Sequence, residues 1–128
     1  MNLPETPVIL LVDDEPLIRR SAADILTDCG CEVLEAGNAD EALRILHDRP
    51  DITLVFTDAN MPGTINGLRL LERVHALRPT VELILTSGRA HFAKSALPDD
   101  GTFLPKPYDA FKLCDLVADK LDGRPAAS

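Results

Sequence analysis

Short strand-like runs, the first of them wholly apolar, each closed by a polar or turn-forming residue, constrain this chain more than any other feature. The first, Val8–Val12 in "PVILLVDDEP", is wholly apolar. A run of that kind suits a strand covered on both faces. Pro16 follows, favouring the first turn of a helix. Ile18, Ala22, Ile25, Leu26 and Cys29 then recur at helical spacing, and Gly30 is a natural stop. The pattern repeats along the chain. Glu32–Ala36 predicts a second strand, and Asn38 caps a helix carrying Ala39, Ala42, Leu43 and Leu46. Ile52–Thr57 predicts a third strand closed by Asp58, and Leu70, Leu71, Val74 and Leu77 predict a third helix. Val81–Thr86 predicts a fourth strand. The segment "RAHFAKSALPDDG" after it has weak helical character, so a short or mobile fourth helix is expected there. Thr102–Leu104 is a very short fifth strand, and Asp109 caps a last helix bearing Leu113, Val117 and Leu121.

Strands alternating with amphipathic helices predict an α/β fold: a parallel sheet, doubly wound, with helices on both faces. At 128 residues and 45% hydrophobic content, one domain with a sizeable core is expected. The net charge of −8 and the lack of a basic run argue against nucleic acid and anionic membrane surfaces. No apolar run approaches membrane-spanning length, and "MNLPETP" is not a signal peptide. Three cysteines, Cys29, Cys31 and Cys114, without a framework spacing read as reduced thiols of a cytoplasmic protein.

Ligands of doubly wound sheets gather outside the carboxyl ends of the strands. Asp13 and Asp14 stand at the end of the first strand, Asp58 at the third, Thr86-Ser87-Gly88 at the fourth and Lys106 at the fifth. Three carboxylates cannot all stay ionised at close range beside one lysine. Hard oxygen ligands suit Mg²⁺, which completes its octahedron with water and phosphate oxygens. Ser87 offers a hydroxyl and Lys106 a point charge to an oxyanion, and Asp58 is a plausible nucleophile, since carboxylates form acyl phosphates. Thr86 and Ser87 adjoin, and strand alternation lets only one of them reach that oxyanion.

The set Asp13, Asp14, Asp58, Met61-Pro62, Gly67, Ser87-Gly88 and Lys106-Pro107 resembles the receiver domain of two-component response regulators. The resemblance spans about residues 6–121, leaving 1–5 and 122–128 as flexible tails. It implies the flavodoxin-like strand order 2-1-3-4-5. It implies that Asp58 accepts a phosphoryl group from a phosphohistidine of a histidine kinase or histidine phosphotransfer protein. Asp14, Asp58 and the backbone carbonyl of Asn60 would hold Mg²⁺, with Asp13 acting through water. Ser87, preferred over Thr86 because a small residue follows it, would bond the phosphoryl group. Lys106, before a cis Pro107, would pair first with Asp58 and then with that group. Phe103 would be the switch aromatic on strand five, moving with Ser87 to change the surface a downstream protein reads. Asn60 and Arg89 occupy positions that tune hydrolysis in relatives. "MPGTINGL" is one residue longer than the common family loop.

Plainer readings exist for single residues. Asp14 alone could be a helix N-cap, Asp58 a loop cap, Lys106 a surface lysine and Phe103 static core. For the whole chain, one alternative is a receiver-like module that is never phosphorylated. Another is a small haloacid-dehalogenase-like phosphatase, which wants an Asp where Asn60 stands. The chain would be either a stand-alone receiver or one cut from a larger hybrid kinase or regulator.

Overall fold

The computed structural model describes residues 6–61, 65–88, 94–98 and 101–122. Five strands, β1 (Val8–Val12), β2 (Glu32–Ala36), β3 (Ile52–Asp58), β4 (Glu82–Ser87) and β5 (Thr102–Pro105), form one parallel sheet in the order β2-β1-β3-β4-β5. This is the expected flavodoxin-like order. It has a topological switch between β1 and β3, whose carboxyl ends carry the three aspartates. Four helices accompany the sheet: α1 (Pro16–Asp28), α2 (Ala39–Asp48), α3 (Gly67–Leu77) and α4 (Ala110–Asp122).

Strand alternation divides the core in two. Val8, Leu10 and Val12 point to one face, where α2 contributes Ala39, Ala42 and Leu46 and α3 contributes Leu70, Leu71 and Val74. Ile9 and Leu11 point to the other, against Ala22, Ala23 and Leu26 of α1 and Leu113 and Val117 of α4. The sheet is therefore covered on both sides, which is why β1 is apolar at every position and buried throughout.

Short polar side chains start the helices. Asn38 accepts a hydrogen bond from the Glu41 amide at 2.8 Å, while Glu41 Oε1 accepts one from the Gly37 amide at 2.8 Å. Asn66 accepts from the Arg69 amide at 3.0 Å, and Asp109 from the Lys112 amide at 2.7 Å. Helix α1 differs: its N-cap is Glu15, whose side chain makes no capping bond, and Pro16 supplies the preset first turn. Asp14 is thus not the cap of α1, which removes its plainer reading. At the far end Gly30 has φ +97°, a conformation that costs a residue with a Cβ.

One expectation needs correction and others fall on residues outside the description. Cys29 and Cys114 are not free thiols. Their sulfurs are joined in a disulfide across 85 residues, with Cα atoms 6.0 Å apart. A spacing along the chain carries no information about which helices lie side by side, which is why the pairing escaped a reading by spacing. Cys31 remains a free, buried thiol. Between β4 and β5 the described residues form a single 3-10 turn, Lys94–Ala96, rather than an α-helix. Arg89, the remainder of that segment, the loop residues 62–64, and the tails at 1–5 and 123–128 lie outside the described residues.

Candidate phosphoacceptor and metal site

The carboxyl ends of β1 and β3 bring Asp13, Asp14 and Asp58 together, each offering a carboxylate oxygen within 4.8 Å of the others. Asp13 and Asp58 are buried, at 5% and 7% exposure, whereas Asp14 is half-buried. Lys106, from the end of β5, reaches into the group, with its ammonium 3.7 Å from Asp58 Oδ1 and 3.8 Å from Asp13 Oδ2. Among the described residues, Lys106 is the cation paired with these carboxylates. Asp14, Asp58 and Lys106 open onto a cleft of about 600 Å³, whose lining also includes Asn60, Met61 and Gly88. Hard, anionic oxygens in excess of local positive charge make an acidic pocket able to coordinate a divalent cation.

Burial pushes the Asp13 carboxyl above its usual range, and repulsion from Asp58 and Asp14 acts in the same direction. A hydrogen bond from the Glu15 amide to Asp13 Oδ1, at 2.9 Å, and the charge of Lys106 oppose the shift but do not cancel it. Tyr108 stands two residues past Lys106, with its ring edge-on to Phe56 at 5.9 Å. Its hydroxyl is pushed up to about 12 by burial and by the charges of Asp13 and Asp58.

The backbone around the triad is tightly fixed. The Ala59 amide donates to the Thr86 carbonyl at 2.8 Å, and the Lys106 amide to the Ser87 carbonyl at 3.0 Å. Gly67 presses its backbone against the strand end: its amide donates to the Ala59 carbonyl at 3.1 Å. A Cβ there would overlap the Asp58 carbonyl oxygen and stand 2.8 Å from Ala59 Cα. The sharp turn after Asp58 therefore requires glycine at this point. The Lys106-Pro107 peptide is cis, as the resemblance implied.

Ser87 and Thr86 are both buried at 2% exposure. Ser87 Oγ accepts a hydrogen bond from the Asn60 side-chain amide at 3.2 Å, which ties it to the loop that follows Asp58. Thr86 Oγ1 has no partner among the described residues. Phe103 is partly buried against the core beneath α2 and α3.

Sequence reasoning missed Arg19. Its Nη1 donates to the Asp13 carbonyl at 2.7 Å while its Nε pairs with Glu35 at 3.1 Å, so α1 holds the β1–α1 loop in place. Tyr108 was also missed. A polar residue just past the Lys-Pro pair was the available signal for it; for Arg19 the sequence carried none.

The response regulator receiver domain family matches residues 9–118, and the chain belongs to it. It is a CheY-like receiver domain of two-component signal transduction, with a clustered aspartate triad consistent with the phosphoaccepting and metal-binding site of response regulators. The chain is 32% identical over 126 residues to the sensor kinase CckA of Brucella abortus (strain 2308), which covers 94% of this chain and 13% of the kinase. It is 30% identical over 119 residues to a CheY chemotaxis homologue of Campylobacter jejuni (serotype O:23/36), covering 88% of this chain and 91% of the homologue. The crystal structure of the receiver domain of hybrid histidine kinase CckA superposes with a TM-score of 0.77 and 36% identity, over 89% of this chain and 98% of that one. Against the kinase and several regulators, the chain spans between 13% and 36% of the relative's length. Among the described residues no helix is long and apolar enough to cross a membrane.

Proposed function

We propose that Asp58 is the phosphoacceptor of this receiver, taking a phosphoryl group from a phosphohistidine on a histidine kinase or histidine phosphotransfer protein. The observation that carries the reading is the meeting of three carboxylates within 4.8 Å with the Lys106 ammonium 3.7 Å from Asp58. A carboxylate oxygen of Asp58 attacks the phosphorus, the P–N bond to the donor histidine breaks, and the imidazole leaves with the bonding pair. The product is an aspartyl phosphate on this chain. Such transfers need positioning and charge neutralisation more than covalent assistance.

The donor set fits Mg²⁺: carboxylates of Asp14 and Asp58 with the Asn60 backbone carbonyl, and Asp13 acting through water. When bound, the cation would neutralise charge on the phosphoryl oxygens and on the acceptor. The protein supplies the rest. Lys106 moves its charge from Asp58 to the incoming oxygens. Ser87 exchanges its bond with Asn60 for one to the phosphoryl group. Phe103 packs deeper as Ser87 moves, altering the surface read by a downstream protein. On this reading residues 6–121 act as the receiver domain, in the cytoplasm, with no contact to nucleic acid or membrane of its own.

Phosphoramidate carries a P–N bond and substitutes for the donor histidine. With Mg²⁺ it should add one phosphoryl group to the protein, and Asp58→Asn or chelation of the metal should abolish the gain. A parent protein that gains no mass would overturn the proposal.

A further inference from the structure

Cys29, the C-cap of α1, and Cys114, in the first half of α4, are joined although 85 residues separate them. Their Cα atoms are 6.0 Å apart, within the span of roughly 4.4–6.8 Å that a disulfide bridges without moving the backbone. The helices they tie already share a core, in which Ala22, Ala23 and Leu26 meet Leu113 and Val117. The two cysteines can therefore stay opposed whether or not the bond is closed. Cys29 is exposed and Cys114 half-buried, so a small reagent can reach them. Cys31 is buried and its thiol is pushed up by burial, which makes it a poor competitor for either.

We propose that Cys29 and Cys114 form a thiol–disulfide exchange site, a redox-sensitive tether between α1 and α4 whose reactant is a low-molecular-weight disulfide such as oxidised glutathione. One protein thiolate attacks a sulfur of the small disulfide, which releases one small thiol and leaves a mixed disulfide. The second protein thiolate then displaces the other small thiol. The two cysteines lose two protons and two electrons, and the small disulfide gains both as two thiols. In a reducing compartment such a pair stays open until the thiol pool is oxidised. The tether is placed to matter. Helix α1 begins two residues after Asp14 and α4 four residues after Lys106. Between α1 and the segment that leads from β5 into α4 runs a groove of about 470 Å³, walled by Ile18 and Ile25 on one side and by Lys106, Pro107 and Tyr108 on the other. Closing the bond fixes the spacing of those walls without touching the carboxylates.

The test uses the full chain in glutathione buffers of graded ratio, with no phosphodonor. Alkylation of the unfolded protein followed by mass measurement should find three reactive cysteines under reduction and one, Cys31, after oxidation, reversibly. The thermal midpoint should rise on oxidation by roughly 10 °C. Cys114→Ser and Cys29→Ser should each abolish both changes. The chain has one tyrosine and no tryptophan, so acrylamide quenching of its emission reports on Tyr108. Quenching should fall on oxidation in the parent and stay constant in Cys114→Ser. Three alkylatable cysteines in every buffer, or a persistent glutathione adduct in place of the internal bond, would overturn the proposal. So would an unchanged midpoint or unchanged quenching. None of these outcomes depends on whether Asp58 accepts a phosphoryl group.

Discussion

Burial and repulsion push on Asp13 in the same direction, and the metal-free domain bears the consequence. An acid whose pKa is raised by folding contributes stability that is fully present below its unfolded value and is lost as pH rises through the folded one. Asp13→Asn removes that charge while keeping an acceptor for the Glu15 amide. It should raise the thermal midpoint of the metal-free protein near neutral pH. The same substitution should weaken Mg²⁺ affinity by about tenfold, as losing a water-mediated partner does; calorimetric titration measures it, and unchanged affinity would remove Asp13 from the site. Tyr108 gives a second, cleaner titration, because it is the one tyrosine in the chain. Its phenolate absorbance should appear with a midpoint near 12 in the folded protein, against about 10 for an unfolded tyrosine. By the same sign rule its contribution to stability is complete below pH ~10 and is lost as pH climbs toward ~12. Tyr108→Phe should abolish that loss.

Glycine and arginine do their work at the scale of elements. Gly67 opens α3 directly beneath the end of β3, where a Cβ would overlap the Asp58 carbonyl. Alanine is the better helix former, yet here it must displace the strand end. Gly67→Ala should cost at least about 2 kcal/mol in urea unfolding and slow phosphorylation of Asp58 as well. Arg78, the C-cap of α3, ties α3 to the connection between α2 and β3. Its guanidinium donates to the carbonyls of Leu46, Arg49, Pro50 and Ile52 at 2.9, 3.4, 2.9 and 3.1 Å. Truncation leaves those acceptors without their partner, so Arg78→Ala should cost about 2–3 kcal/mol. Arg78→Lys should recover only part of it, because an ammonium lacks the planar fork. Phosphorylation per folded molecule should be unchanged in both Arg78 variants, unlike Gly67→Ala. An Arg78→Ala protein as stable as the parent would contradict the assignment.

At the scale of the molecule, the α/β class and a site at the strand ends were legible in the alternating strand and helix patterns, whereas the strand order came from the family resemblance carried by the motifs at those ends. Val8–Val12 is buried throughout and Ile52–Thr57 at every position but Thr53, so their composition betrays them, and each runs directly into carboxylates of the triad. Asp14 needed the structure to exclude a capping role, which Glu15 occupies instead. What stayed illegible depends on contacts between distant elements. The Cys29–Cys114 bond and the grip of Arg78 on the α2–β3 connection link positions whose spacing follows no period. The weak pattern after β4 predicted a short or mobile helix, and the described residues there hold the single 3-10 turn Lys94–Ala96. A net charge of −8, with three carboxylates converging at one edge, also means that the metal-free fold works against itself. Mg²⁺ at concentrations well above its dissociation constant should therefore raise the thermal midpoint of the parent by mass action, and should leave Asp58→Asn much less affected.

The claim that Asp58 carries the phosphoryl group is tested most directly by converting the acyl phosphate chemically. The parent protein is incubated with acetyl phosphate and Mg²⁺, treated with borohydride, and digested for peptide mass spectrometry. Reduction of an aspartyl phosphate leaves homoserine at the modified position. Homoserine is expected at position 58, and its absence when the metal is chelated. An unmodified Asp58, or homoserine at Asp13 or Asp14 instead, would contradict it.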